Sequence, residues 1–325
     1  MAQTSHDDLI ALFIDWRAFE VPPIKDGAPD YTADTFDKRY VDLQDYLRRL
    51  NAFEISDWPV PDQVDWHVIR AEMNGFDFNH RILKPWVRDP AYYKTIWMAQ
   101  SDVPAHEGPT NHGTVEVWTY DFPLTAEGDA RMVREMSALP PLMAQAKINL
   151  TGNARDLWIT GIRDIRQQSK DLDQVREMVG EDASDALKAI IIESKAATDD
   201  LVAWLEAESE TKTGPSGLGK ENYTWYQRNV HLVPMTWDDE VVLLRHELER
   251  AWAELKQEEH RNRNVPPQVA VSTPEEYDAM AERDIEMMIS FLRDQEIVTV
   301  PDYFEPALRA HCSPSKPMRP FKVFA

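Results

Sequence analysis

Cysteine is almost absent from this chain of 325 residues, with Cys312 the single example. That excludes an intramolecular disulfide and any multi-thiolate metal centre. No spacing pairs Cys312 with an activating base, so it reads as a plain thiol rather than a nucleophile. Glycine is scarce too, with 11 residues against 22 prolines. Such a balance favours long helices with firm stops over many tight hairpins. Basic residues are outnumbered, 35 Lys and Arg against 57 Asp and Glu, for a net charge of −22. A phosphate backbone needs a basic surface, so nucleic acid is excluded as a partner and anionic membranes are repelled. No apolar run reaches membrane-spanning length. The N-terminal stretch MAQTSHDDLIALFIDWRAFE has no basic n-region, which argues against a signal peptide and makes a cytoplasmic protein the expectation. Gly-rich phosphate loops, G-x-S-x-G elbows and Ser-x-x-Lys motifs are missing as well.

What is present is aromatic and apolar. Eleven Trp, ten Tyr and eleven Phe describe a folded chain with a substantial core. Helical periodicity recurs along most of the length. Asp7 to Phe19 places Leu9, Leu12, Phe13 and Trp16 on one face, and Thr35 to Phe53 repeats the pattern with Phe36, Tyr40, Leu43 and Leu47. Pro61 opens a helix expected to run to about Leu83. Leu139 to Leu150 is a short apolar helix, and Asn153 is placed to cap the next one, with Asp156 at its third position. Asp182 to Ala207 is Ala-rich and suited to close packing. After the loop Thr211 to Gly219, the spacing predicts a helix from Lys220. Another begins after Thr236, with Val241, Leu244, Leu248, Ala251, Trp252 and Leu255 in an almost heptad stripe. Thr273-Pro274-Glu275-Glu276 is a capping box that starts a further helix. The exceptions are an irregular insertion at about 84–123, with a strand-like TVEVWTY at Thr114 to Tyr120, and a Pro-rich tail at about 297–325. The fold class is therefore mostly α: one elongated multi-helix domain over 1–325, with one irregular insertion containing a short strand segment.

Candidate chemistry is sparse. His246 and Glu247 form the first half of the zinc-protease motif H-E-x-x-H, but the fourth-next residue is Arg250, a permanent cation that cannot ligate a metal. His246 and His260 lie about 21 Å apart on one helix and cannot share an ion. His106, Glu107 and His112 sit in a loop without helical spacing, a weak metal pattern. Asp77 and His80, one turn apart, suit an ordinary helix ion pair or a core-edge hydrogen bond. The helix from Lys220 offers more, because Lys220, Thr224, Gln227, Arg228 and His231 share a polar stripe flanked by Tyr223, Tyr226 and Trp225. Such a stripe either lines a substrate cleft, with Arg228 for a carboxylate and Tyr and His groups for an oxyanion, or is a surface face between packing aromatics. The candidate cleft residues are Lys220, Tyr223, Tyr226, Gln227, Arg228 and His231.

Several segments together resemble the bacterial family called domain of unknown function 885 (DUF885). They are DWPVPDQVDWHVIRAEMNGFDFNHRIL, LPPLMAQAKINL, GLGKENYTWYQRNVH with the following MTWDDEV, and TVPDYFEP. The resemblance spans nearly the whole chain as a loose series of helices. It implies a mostly helical, zincin-like metallopeptidase whose H-E-x-x-H helix lies in the C-terminal half. This chain resembles the N-terminal half and has no H-E-x-x-H, so no metal ligand carries over. The expectation is a non-metal portion of a metallohydrolase, inactive alone, with no cofactor of its own. Zinc belongs to a complementary H-E-x-x-H-bearing subunit or domain, and the substrate is peptide-like. A natural half-protein and a truncated gene product both fit, as does the apolar ending FKVFA, which also suits a tail folded back on its own domain. Two other readings stay open: a non-enzymatic helical scaffold, and an enzyme built on the His106, Glu107 and His112 loop.

Overall fold

The computed structural model describes residues 5–100, 112–267 and 269–312. Among them the structure is mostly helical, as the periodicity predicts. In chain order the helices are α1 (His6–Glu20), α2 (Ala33–Leu50), α3 (Val60–Phe78), α4 (Pro85–Arg88), α5 (Ala126–Met136) and α6 (Leu139–Asn149). They continue with α7 (Arg155–Val179), α8 (Asp185–Ser209), α9 (Lys220–Asn229), α10 (Trp237–Arg261), α11 (Pro274–Asp294) and α12 (Phe304–Cys312). Two tiny sheets complete the set. Strands β1 (Ile24–Lys25) and β2 (Ala28–Pro29) pair antiparallel, and β3 (Ile96–Trp97) and β4 (Val115–Glu116) pair parallel. The chain divides into two compact units, Met1–His246 and Glu247–Ala325, with the boundary inside α10.

The first unit holds three apolar clusters. One joins α1, α2 and α3 through Leu9, Leu12, Trp16, Leu43, Leu50, Trp66 and Met73. A second packs α6, α7 and α8 around Trp158, Ile165, Leu142 and Leu201, and it receives Trp86 and Tyr93 from the irregular insertion. A third gathers Met132, Met136, Leu172, Val175 and Leu187 with Ile96, Val115 and Val117. The alternation in TVEVWTY thus reflects true burial of Val115 and Val117, but only Val115–Glu116 pairs as strand. The next three residues, Val117–Thr119, turn into a 3-10 helix because the partner β3 is only two residues long.

The segment of the insertion from Pro90 to Ile96 is pinned against α7. Gln168, fully buried on α7, accepts hydrogen bonds from the backbone N–H of Thr95 (2.6 Å) and Ile96 (3.1 Å) and from Thr95 Oγ1 (3.0 Å). Its amide nitrogen donates to Thr198 Oγ1 on α8 at 3.3 Å. A few residues earlier, the 3-10 turn Pro90–Tyr93 lies so close to α7 that a Cβ on Gly161 would meet Pro90 Cβ at 2.7 Å. Gly161 is required here for close approach, not for an unusual dihedral.

Several helix ends follow the sequence and others depart from it. Ser5, Thr125, Ser184 and Thr273 cap α1, α5, α8 and α11 through their hydroxyls. Asn153 does not cap α7. Its Oδ1 accepts instead from the backbone N–H groups of Thr213 and Gly214, and Ser216 Oγ accepts from the first-turn N–H groups of Asp156 and Leu157. The Thr211 to Gly219 loop folds back onto the start of α7 and does the capping from a distance. Within the Pro-rich stretch after Ile297, residues Phe304–Cys312 form α12, which packs on α11 in the second unit. The ending FKVFA and the pair His106 and Glu107 lie outside the described residues.

Candidate functional site: a polar cavity beside a π turn

The helix expected from Pro61 to about Leu83 is α-helical only to Phe78. Its last five residues, Asn79–Leu83, form a π turn, closed by Lys84 at φ 43° before Pro85 starts α4. A π turn holds an extra residue per turn and redirects the side chains that follow, and such turns concentrate at functional positions. Here the consequence is a rearranged pair. Asp77 binds Arg81 through Nε at 2.9 and 2.8 Å, while His80 Nδ1 donates to the Phe76 carbonyl at 2.9 Å. Of the two readings for Asp77 and His80, the direct ion pair is not formed, and His80 makes a core-edge hydrogen bond with the Phe76 carbonyl instead.

His80 sits among four rings: Phe76 at 4.4 Å, Trp86 at 5.1 Å, Phe36 at 5.4 Å and Tyr40 at 6.0 Å between centroids. Phe36 and Trp86 stack at 3.6 Å and 10°. Two cavities open on this wall, both inside the first unit. The larger, about 460 Å³, reaches Asp37, Tyr40, Arg81 and Lys84. The other, about 190 Å³, is richer in chemistry, bringing Arg17, Glu20, Arg39, Asn79, His80 and His112 together with Tyr31 and Tyr92.

Each polar group of the smaller cavity is held by a nameable contact. Arg39 is 9% exposed, and its guanidinium donates to the carbonyls of Phe19 (2.8 Å), Glu20 (2.8 Å) and Val21 (3.1 Å). It therefore caps the C-terminal end of α1, where a cation suits both the free carbonyls and the helix dipole. The same guanidinium lies 4.7 Å from the Phe19 ring centroid and 5.6 Å from that of Phe76. Glu20 Oε2 pairs with Arg17 at 2.6 Å, and Arg17 also reaches Glu72 at 3.3 Å. Burial nevertheless outweighs Arg17 and lifts the Glu20 carboxyl from 4.5 to about 7. Burial likewise keeps His80 below the ordinary imidazole value. His112, at the cavity mouth, is lowered first by desolvation of its ring and then by the charges of Arg39 and Arg17. Its backbone N–H donates to the Tyr31 hydroxyl at 2.8 Å.

Unmet hydrogen bonds concentrate here. Among the described residues five buried side-chain polar atoms lack a hydrogen bond, and three of these line this cavity: Glu20 Oε2, Asn79 Oδ1 and His80 Nε2. Glu20 Oε2 keeps its ion pair with Arg17, so the two orphans are Asn79 Oδ1 and His80 Nε2. Both are acceptors, since His80 spends its ring N–H on the Phe76 carbonyl. Little in the linear order of residues marks this site. Its residues come from five separate segments, and only the two prolines after Val21 and the aromatic run before Asn79 mark it.

The residues expected to line a cleft lie elsewhere. Lys220 binds Asp238 at 3.0 Å and covers the Trp237 ring at 3.8 Å. Tyr223 donates to Glu240 at 2.6 Å, and Gln227 donates to the Tyr223 hydroxyl at 2.8 Å. Tyr226 packs on Phe78 at 4.8 Å, and Arg228 is exposed. His231 falls beyond the helix, because α9 stops at Asn229 and Leu232 adopts φ 57° ahead of Pro234. It is exposed and sits edge-on to the Tyr226 ring at 4.9 Å. None of the six lines either cavity.

The expected packing stripe of α10 is not buried. Leu244, Leu248, Trp252 and Leu255 are 64, 59, 55 and 47% exposed, and no residue of the helix is buried. His246 is exposed as well, and Arg250 Nε donates to Glu247 at 3.1 Å. With its carboxylate taken by a cation, the His246–Glu247 pair does not fit a zinc ion. Among the described residues no group of three or more His, Cys, Asp or Glu is arranged to hold a metal. Nor is any helix among them long and apolar enough to cross a membrane.

A family model for bacterial proteins of unknown function, DUF885, matches residues 18–306. The chain belongs to the DUF885 family. That match takes in the cavity residues other than Arg17, together with α9 and α10. No curated protein matches the chain. A solved structure described as "a putative lipoprotein of unknown function from Shewanella oneidensis" is similar at 15% identity and a TM-score of 0.49. The similarity covers 91% of this chain and 57% of that one, so this chain spans little more than half of that protein's length.

Proposed function

We propose that this DUF885 chain is the non-metal, substrate-receiving portion of a zincin-like peptidase and acts together with a complementary part bearing H-E-x-x-H. The observation that carries the reading is the bare face of α10. A 25-residue helix with no buried residue presents Leu244, Leu248, Trp252 and Leu255 to solvent at near-heptad spacing. Contiguous exposed apolar stripes of this kind mark interaction surfaces, and heptad spacing suits a partner helix. A second copy is the poorer occupant, because two chains of net charge −22 repel each other.

In this reading the complementary part covers the α10 stripe, and a peptide substrate runs along α9. Arg228 there meets a substrate carboxylate, while Tyr223, Tyr226, Gln227, Lys220 and His231 shape the wall. The test is reconstitution. Mixing the purified chain with an H-E-x-x-H polypeptide encoded beside it should create peptidase activity that neither component shows alone. Replacing Leu248 and Trp252 by Ser should abolish that gain. Peptide hydrolysis by this chain alone, or reconstitution indifferent to the two substitutions, overturns the reading. A folded monomer that recruits no such partner favours a scaffold instead.

A further inference from the structure

We propose that the cavity of about 190 Å³ around Arg39, Asn79 and His80 binds a small α-amino or α-hydroxy carboxylate, a molecule with an anionic group next to a hydrogen-bond donor. Two opposite deficits in one cavity point to it. At one end stands a cation that no carboxylate contacts directly. Arg39 is nine-tenths buried, and among the described residues it makes no ion pair with a carboxylate. Glu20 pairs directly with Arg17, and Glu20 and Asp42 reach Arg39 only through longer-range charge. A guanidinium has five N–H donors, and three hydrogen bonds to carbonyls use only part of that capacity. A buried cation in this state is costly, and a bound carboxylate relieves it.

At the other end stand acceptors without donors. Asn79 Oδ1 and His80 Nε2 adjoin in the π turn, are shielded from solvent, and have no partner. A simple anion cannot satisfy them, because it brings only further acceptors. An ammonium or hydroxyl beside the carboxylate can. Phe36, Phe76 and Trp86 supply an apolar wall for whatever short side chain the molecule carries. The volume, about 190 Å³, leaves ample room for a molecule the size of alanine or lactate.

The inference does not depend on the peptidase reading, since it concerns this chain alone and needs no partner. The experiment is calorimetric titration of the full chain with L-alanine, L-lactate, propionate and ethylamine in parallel. Binding of alanine or lactate at millimolar concentration is expected, with the stronger of the two identifying the donor. Propionate, lacking the donor, and ethylamine, lacking the anion, should each bind at least about tenfold more weakly, the size of a lost charge-assisted hydrogen bond. Asn79→Leu and His80→Phe should weaken binding by a similar factor while leaving the thermal midpoint of the free protein unchanged or higher. A purely structural role for these residues predicts a lower midpoint instead. If neither alanine nor lactate binds, if propionate binds equally well, or if both variants bind as the parent does, the assignment falls.

Discussion

Two buried polar clusters in the same unit make opposite use of their hydrogen bonds. Around Gln168 on α7, every polar group named has a partner: Thr95 and Ile96 donate to its oxygen, and its nitrogen reaches Thr198, which in turn donates to the Ser194 carbonyl at 2.8 Å. Around His80 the count fails, leaving two acceptors unpaired beside a buried cation that no carboxylate contacts directly. The first arrangement fixes an irregular segment against a helix pair. The second leaves Asn79 Oδ1 and His80 Nε2 unpaired at a cost to stability, and such costs concentrate at functional sites. Satisfied burial is architecture, whereas unsatisfied burial beside a cavity is a place for a ligand.

That contrast can be broken by mutation, and the largest effect belongs to the satisfied side. Gln168→Leu should cost about 3 kcal/mol or more, because the N–H groups of Thr95 and Ile96 lose their acceptor in the core. Urea denaturation measures it, and a loss under about 0.5 kcal/mol would erase the distinction. Gly161→Ala tests the same interface sterically. Its new Cβ, set 2.7 Å from Pro90 Cβ, should cost about 1–3 kcal/mol.

Glu20 probes the open side through pH. With its carboxyl raised from 4.5 to about 7, the folded state holds a proton that the unfolded state has released across that window. Stability should therefore fall as pH rises from 4.5 to about 7, by on the order of 2 kcal/mol. In Glu20→Gln that fall should vanish, as read by chemical denaturation at successive pH values. Arg17, Arg39 and Glu72 are the charges that face Glu20. A smaller effect is expected from His80→Phe, which removes an unpaired acceptor from an aromatic box and should stabilise the free chain by about 1 kcal/mol. Smallest of all is Trp252→Ser on α10. In the isolated chain it should change stability by no more than about 0.5 kcal/mol, because the side chain is 55% exposed. If it destabilises more than that, the stripe packs within its own chain and the docking face is lost.

Helix positions were largely legible because they follow from local spacing. The starts of α1, α8 and α11 carry hydroxyl caps, and apolar residues three and four apart mark the buried faces of α1 to α3. The stripe of α10 was just as legible as a pattern, yet its destination was not. Periodicity states which residues share a face and is silent on whether anything lies against that face. The same limit explains Asn153, whose partners lie 60 and 61 residues away, and Gln168, whose acceptor atom serves a segment more than 70 residues upstream. The cavity was invisible for that reason too. Arg39, His80 and His112 belong to segments that only the packed unit brings together.

From residues alone came the mostly helical class, the strong negative charge, the family and the missing H-E-x-x-H, all of which depend on composition or on neighbours within one turn. Tertiary structure alone decided that His80 turns inward on a π turn, that Arg39 caps α1 with no carboxylate in direct contact, and that the apolar side of α10 is bare. Those outcomes depend on which distant surfaces meet. Burial, desolvation and unmet hydrogen bonds are properties of such meetings and are written in no single stretch of the chain.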